Sequence, residues 1–322
     1  GRPMAVTTSS SEGAARVAVP TTPSGSGRVV QVRSLKQQAF RRFVRNRLAV
    51  TGAVILIGSV LVAIFAPVLA PYGAGEPDMA NVNQWPSAGH WLGTDASGVD
   101  ILSQLMFALR TTFVIATIAM AITFVLGVGI GLVAGYHGGW IDSALSRLID
   151  VVFAFPIILV ALLLSATWGQ AAHDRFGTVG RLYITMFAVS LFYWVNVARV
   201  VRAEVFSLRE APYVEAAKVA GSNTSWIIRK HLLPNVLGTA AVLISLGFGD
   251  VILIEAILSY VGLGVTPPTA SLGQMIQGGQ LYIDPFWYQF LVPGTALAIL
   301  VLAFAFIGDG LRDAIDPRQV QE

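Results

Sequence analysis

The sequence predicts an all-α membrane protein with six transmembrane helices, and three observations carry this prediction. Charged residues make up 12% of the 322-residue chain, whereas about 25% is usual in soluble domains. Hydrophobic residues make up 55%, more apolar surface than a water-soluble protein of this length can bury. They are concentrated in six continuous runs, each near the roughly 17–25 residues that a helix needs to cross a bilayer. Barrel strands are excluded, because they alternate in hydrophobicity over about ten residues.

The predicted spans define the organisation of the chain. They cover residues 48–70, 111–135, 151–169, 182–198, 236–261 and 286–308. Residues 1–34, rich in Ser, Thr, Gly and Ala without any periodicity, are predicted to form a disordered cytoplasmic tail. The remaining parts are a basic segment with the first span (35–70), an external loop (71–110), a transmembrane core with a cytoplasmic loop at 199–235 (111–308) and a cytoplasmic C-terminal tail (309–322).

Basic residues are distributed unevenly between the two sides of these spans. Of the 21 Lys and Arg residues, only Arg110, Arg175 and Arg181 fall on the side opposite to the termini. Because Lys and Arg accumulate on the cytoplasmic side of membrane proteins, both termini are predicted to be cytoplasmic. The same distribution accounts for the net charge of +3 without a nucleic-acid partner.

Glycine and proline positions predict how the spans pack. Gly127, Gly131 and Gly135 recur every four residues in the second span, so one face of this helix is nearly smooth and can approach a neighbouring helix closely. Pro156 and Pro293 remove backbone donors within the third and sixth spans and are expected to kink or start a helix.

The loop at 199–235 is predicted to form two short helices around a glycine turn. Pro212 favours a helix start, and Gly221 can end that helix in a left-handed conformation. One of the polar residues 222–224 can cap a second helix, which is predicted to end at Pro234. The small residues 216–217 leave a low surface against which another protein can press.

The same loop carries Glu215-Ala216-Ala217, Gly221 and Leu233-Pro234 at a fixed spacing. This pattern resembles the EAA loop of bacterial ABC-importer permeases, and His231 and Asn235 are typical of the dipeptide, oligopeptide and nickel branch. Further segments resemble the C-type subunit of that branch in the same order along the chain: residues 90–95 with Gly98 and Asp100, residues 135–142, residues 255–264 with Pro268, and residues 308–318.

The resemblance implies the permease fold of type I ABC importers, and it implies a role for the loop as the coupling element that docks on a cytoplasmic ATPase. The residues carried over to this role are Tyr213, Glu215, Ala216, Ala217, Gly221, His231, Leu233 and Pro234. The implied partners are a homologous permease subunit in a heterodimer, two cytoplasmic ATPase domains and an external substrate-binding protein, at the bacterial inner membrane. The implied cargo is a di- or oligopeptide. Nickel, another metal chelate or haem is the alternative within the same architecture.

The chain itself carries no sign of an energy source or of an enzyme. None of its lysines, Lys36, Lys218 and Lys230, follows a glycine, so a P-loop is excluded. ATP and Mg²⁺ are therefore expected on the partner subunits. The chain has no cysteine, and its four histidines lie at no ligand spacing, so neither a metal nor another cofactor is expected on it.

Two acids, Asp250 and Glu255, fall within the fifth predicted span, where an isolated charge costs about 2.5–3.5 kcal/mol. Five residues apart, they project roughly 140° apart around a helix and are not expected to share a site. We expect one to face the translocation path and the other to pack or cap near an interface, and Ser259 is a further candidate for the path. A proton-driven secondary transporter that uses these acids is the alternative from a different class. On the outer side, Asp95 and Asp100 are candidate contacts for a partner.

Overall fold

The computed structural model describes residues 35–315, apart from the side chains of residues 35–38 and 178–179. Within this range every regular element is a helix, and the predicted N-terminal tail and residues 316–322 lie outside it. The helices are α1 (Leu35–Arg45), α2 (Arg47–Leu69), α3 (Ile101–His137), α4 (Gly139–Phe153), α5 (Ile157–Phe176), α6 (Thr178–Leu208), α7 (Pro212–Val219), α8 (Thr224–Ile227), α9 (Leu233–Tyr260), α10 (Leu272–Gln280), α11 (Ile283–Phe286) and α12 (Tyr288–Ile315). A π-helical turn, Ile228–Leu232, joins α8 to α9.

Six helices are long and apolar enough to cross a membrane, which confirms the predicted number of spans. They are α2, α3, α5, α6, α12 and the continuous helix Thr224–Tyr260, which contains α8, the π-helical turn and α9. The second helix of the loop at 199–235 therefore does not end at Pro234 as predicted. Proline in a helix interior removes a backbone donor and clashes with the preceding turn. The α-helical hydrogen bonding is interrupted by the π-helical turn Ile228–Leu232, and Pro234 lies directly after it, in the first turn of α9, a position that tolerates proline.

The second span begins earlier than predicted. Helix α3 starts at Ile101 rather than at residue 111, because Asp100 caps it with a hydrogen bond from the Ser103 backbone amide at 2.8 Å. Residues 101–110 thus belong to the span and not to the loop, and the charge of Arg110 does not interrupt the helix. The connection between α2 and α3 is residues 70–100, named here the cap.

The third span begins later than predicted. The expected run at 151–169 starts inside α4, a separate helix that the sequence pattern did not predict. The helix is interrupted at residues 154–156, and α5 begins directly after Pro156. The fixed backbone angle of proline favours a helix start at this point. The last span also runs further than expected, so residues 309–315 of the predicted C-terminal tail are helical.

The glycine face of α3 packs against α6, as predicted. A Cβ atom on Gly127, Gly131 or Gly135 would lie only 2.7–2.9 Å from α6 atoms, including the backbone oxygens of Trp194, Ala198 and Arg202. The absence of side chains at these three positions therefore sets the distance between the two helices.

Two groups of loops form at opposite ends of the bundle, because successive spans alternate in direction. At one end, named the α7 end, Arg209 at the end of α6 donates to the Gly135 carbonyl oxygen at 3.2 Å. At the other end, Arg181 near the start of α6 donates to the Gly262 carbonyl oxygen at 3.2 Å. The cap lies at this second end, where the Tyr288 hydroxyl donates to the Gln84 carbonyl oxygen at 2.8 Å.

Candidate functional site: a coupling element and intramembrane acids

Helix α7 is anchored to the ends of two spans by one apolar side chain. Val214 is fully buried and packs in a cluster with Val205 of α6 and with Leu232 and Val236 near the start of α9. The residues on either side of it are exposed, Val219 by as much as 90%. The helix therefore shows an anchored inner face and an open outer face.

The turn after α7 has the predicted glycine geometry. Gly221 has φ +78° and open space around its Cα, so the backbone conformation is what requires glycine here. The Ser222 amide donates to the Ala217 carbonyl oxygen at 3.0 Å, which closes the helix end. Asn223 then caps α8 by accepting from the Trp226 amide at 2.8 Å.

Three rings fix α7 against the helix that follows the turn. His231 lies with its ring centroid 5.6 Å from that of Tyr213 and 5.0 Å from that of Trp226. A further link runs back to α6, because the Lys218 ammonium group donates to the Arg209 carbonyl oxygen at 3.2 Å. The element can thus move as one body with the ends of α6 and α9.

The eight residues predicted for ATPase docking fall into two groups. Tyr213, Glu215, Ala216 and Gly221 are exposed together on α7 and its turn, with Ala217 half-buried beside them. His231, Leu233 and Pro234 lie on the following helix, where the half-buried His231 supports the rings and Pro234 is exposed. On the outer face, the small side chains of Ala216 and Ala217 lie between Tyr213 and Val219 and leave room for close approach by a second surface.

An ion pair braces the same end of the bundle from α4. Arg202 donates to both carboxylate oxygens of Asp142, with a distance of 2.8 Å from Nη2 to Oδ2. This hydrogen bonding from Arg202 holds the pKa of Asp142 below its ordinary value. The bidentate geometry fixes the direction of α4 relative to α6.

The two acids of the fifth span have opposite environments. Glu255 is 1% exposed and accepts a hydrogen bond from the Ser259 hydroxyl at 2.7 Å. Ser259 also accepts from the Val265 amide at 3.2 Å, so this pair ties α9 to the segment that follows it. Asp250 is exposed, and the Tyr193 hydroxyl of α6 donates to its Oδ2 atom at 2.7 Å.

The two acids predicted for the outer side also differ. Asp100 is 2% exposed, caps α3 and lies 3.0 Å from Nδ1 of His90, which stacks on Tyr72. Asp95 accepts from the backbone amides of Ser97 and Val99 at 2.8 and 2.9 Å, which shapes the loop before α3.

Asp95 lines a cavity of about 210 Å³ together with Gln104, Gln274 and Gln289. Of these two acids, it is the one that a partner can reach. Within residues 35–315, no group of three or more acidic, histidine or cysteine side chains is arranged to hold a metal ion.

Three residues of these sites carried no signal in the sequence. Tyr193 is one of several aromatic residues in its span, Trp226 belongs to no motif, and Gln274 lies in a connection outside the spans. Each acquires its role from a residue distant in sequence or from the fold of a loop, so periodicity and spacing could not identify it.

Two family models match the chain. Residues 127–321 match the binding-protein-dependent transport system inner membrane component, and residues 34–86 match the N-terminal transmembrane domain of oligopeptide transport permease C. The first match includes α7, α9 and both intramembrane acids.

Curated relatives and a solved structure agree with these matches. The chain is 36% identical to the dipeptide transport system permease protein DppC of Alkalihalophilus pseudofirmus, over 88% of this chain and 90% of that one. It is 35% identical to the oligopeptide transport system permease protein OppC of Escherichia coli K12, over 90% and 93% of the two chains. The inward-facing MetNI methionine ABC transporter shares the fold, with a TM-score of 0.51 at 20% identity over 66% of this chain and 96% of that one. The chain belongs to the family of binding-protein-dependent transport system inner membrane components.

Proposed function

We propose that this chain is one of two homologous permease subunits that together form the translocation path of an ATP-driven importer of di- or oligopeptides. The chain is a multi-pass transport component of the bacterial inner membrane rather than an enzyme. Its family works with ATPase and binding-protein partners. The peptide cargo rests on the DppC and OppC relatives and on the match of residues 34–86.

The observation that carries the coupling role is the construction of α7. It is a short helix with a buried anchor at Val214 and an exposed outer face, and it is fixed by rings and hydrogen bonds to the spans on either side. A force on that outer face is transmitted to α6 and α9, because packed helices move as rigid units. In this proposal ATP and Mg²⁺ bind the partner ATPases, whose closure shifts α7 and alternates access to the path.

The orientation in this proposal puts the α7 end and both termini in the cytoplasm. Between residues 35 and 315, most Lys and Arg residues lie at that end, while Arg110, Arg175 and Arg181 lie toward the cap end. This asymmetry is typical of cytoplasmic loops. The cap then faces the binding protein, with Asp95 and its cavity accessible to it.

The docking proposal is tested by placing a large charged side chain on the outer face of α7. Ala216→Arg should abolish peptide uptake and lower the affinity for the ATPases about tenfold or more, because interface centres tolerate large changes poorly. Ala144→Arg is the matched control, since Ala144 is also an exposed alanine on a helix at the same end. Co-purification of the ATPases and uptake are measured at equal membrane abundance. Equal behaviour of the two variants contradicts the docking role of α7.

A further inference from the structure

We propose that Asp250, held in place by Tyr193, binds the terminal ammonium group of the peptide cargo inside the membrane. This inference rests on the proposed function and names the chemical group that the path recognises. Nothing in the chain's resemblance to permeases accounts for an acid at this position.

Asp250 lies deep in its span. Ten residues separate it from the end of α9 at Tyr260, a distance of about 15 Å along the helix. Its side chain is exposed on the subunit, and within residues 35–315 it forms no salt bridge with Lys, Arg or His. Since an ionised carboxylate at this depth is costly in lipid, this face of α9 must meet water, cargo or the second permease subunit.

The exposed residues that follow Asp250 on its face of α9 are large and hydrophobic. Leu253, Ile257 and Tyr260 follow it at spacings of three and four residues and are 39%, 38% and 36% exposed. These side chains share one face of the helix. A cargo that moves along this face meets only one charged side chain on it, that of Asp250. Asp250 therefore supplies the electrostatic selectivity of this face.

The carboxylate is held rigidly rather than left to rotate. The Tyr193 hydroxyl donates a hydrogen bond to Oδ2 of Asp250. The other carboxylate oxygen, Oδ1, accepts no hydrogen bond from the described part of the chain. The Tyr193 ring lies against the α9 backbone at Gly247, where a Cβ atom would be 2.5 Å from ring atom Cε1. Glycine at residue 247 thus makes room for the ring that positions the acid, and Tyr193 is a positioning residue.

The ammonium group is the ligand that fits this arrangement. Peptides of different sequence share only their backbone and their two charged ends, and a carboxylate attracts the amino end and repels the carboxyl end. An ammonium group can donate to Oδ1 in a short charge-assisted hydrogen bond. The competing occupant is a basic side chain of the second permease subunit, which the experiment below separates.

The test uses the complete permease–ATPase complex in nanodiscs without the binding protein, whose own selectivity would mask that of the path. The probes are a photoreactive tripeptide with a free amino terminus and its N-acetylated form. We expect the wild-type complex to cross-link the free peptide about tenfold more than the N-acetylated peptide. A difference of this size corresponds to the loss of about one charge-assisted hydrogen bond. Asp250→Asn should remove this preference, Asp250→Glu should retain it, and Tyr193→Phe should weaken it.

Leu253→Asn is the matched control, because it adds an amide to the same exposed face without removing the charge, and it should keep the preference. The proposal is overturned if the wild type labels both peptides equally or neither, or if Asp250→Asn keeps the preference. It is also overturned if Asp250→Asn releases the second permease subunit during purification, since the acid then forms a subunit contact. Failure of the wild-type complex to import any peptide with its binding protein would refute the proposed function instead.

Discussion

At the scale of single residues, burial separates two acids that the sequence could not rank. Asp250 and Glu255 occupy the same span, and helical geometry predicts only that they point in different directions. The structure places Glu255 inside the subunit with Ser259 and leaves Asp250 on its surface. The side that each acid faces depends on how α9 packs against other helices, which local periodicity does not encode.

The hydroxyl of Ser259 is expected to be a structural link. Ser259→Ala removes the donor to Glu255 and the acceptor for the Val265 amide, and unsatisfied buried groups cost about 1–3 kcal/mol each. We expect a lower unfolding temperature in detergent but unchanged uptake per folded molecule. Ser245→Ala is the control, because its hydroxyl donates within its own helix, to the Ala241 carbonyl oxygen. Lost uptake at full stability would instead place Ser259 in the path.

At the scale of elements, the positions of the spans were predictable and their ends were not. Continuous apolar runs identify all six spans, but the starts of α3 and α5 depend on Asp100 and Pro156. Both residues are visible in the sequence. The charge of Arg110 nevertheless placed the predicted start of the second span too late, and the apolar residues of α4 placed that of the third span too early. Helix α4 was missed because its apolar end merges with the following span.

The glycine face of α3 yields a prediction with a built-in control. Gly131→Ala places a Cβ atom 2.8 Å from the Val201 side chain, so α3 and α6 must separate, at a cost of about 1–3 kcal/mol. Gly129→Ala meets nothing within 4 Å and should be neutral or slightly stabilising, because alanine favours helix. Thermal unfolding of both variants in detergent measures the difference, and equal stabilities would refute the close packing of this face.

The link between α4 and α6 should depend on pH. Because the pKa of Asp142 is lowered by Arg202, the pair stabilises the fold fully above the unfolded-state pKa, about 3.9. This stabilisation is lost as the pH falls through the lower folded-state value. Asp142→Asn should therefore cost about 1 kcal/mol at pH 7, and its deficit relative to the wild type should shrink below about pH 4.

Asp150→Asn is the control for that pair. Its partner Arg199 lies 3.3 Å away, but the two side chains are 72% and 45% exposed, so solvent screens them and the variant should change stability little. The unfolding temperatures of the wild type and of both variants, measured from pH 3 to pH 7, test this prediction. A deficit of Asp142→Asn that does not depend on pH would mean that the carboxylate charge is not what stabilises the pair.

At the scale of the whole molecule, the asymmetry of basic residues predicts the orientation. The chain has no cysteine, so a single introduced thiol reports its own side of the membrane. Ser97→Cys in the cap should react with a membrane-impermeant maleimide in spheroplasts, which expose the outer face of the inner membrane. Ser225→Cys at the α7 end should react only after the membrane is opened. The reverse pattern would invert the proposed topology.

The fold as a whole was more predictable than its sites. Composition and apolar runs indicate a membrane protein, and the motif in the loop at 199–235 is typical of the family to which the chain belongs. The site partners come from packing: Tyr193 with Asp250 and Arg202 with Asp142 are each more than fifty residues apart. Local sequence patterns do not identify contacts between residues this far apart in the chain.

The uninterrupted helix from Thr224 to Tyr260 has a mechanical consequence. Its 37 residues make a rod about 55 Å long at 1.5 Å per residue. It begins beside α7, where Ile227 packs with Val214, and ends where Ser259 accepts from the Val265 amide. Such a rod acts as a lever: a tilt of only about 5° at one end displaces the other by about 5 Å, given that length. The π-helical turn at Ile228–Leu232 lies close to the α7 end of this helix, and π-helical turns inside α-helices frequently occur at functional sites. A movement of α7 at one membrane surface can therefore be transmitted through this helix to the opposite surface without passing through any loop.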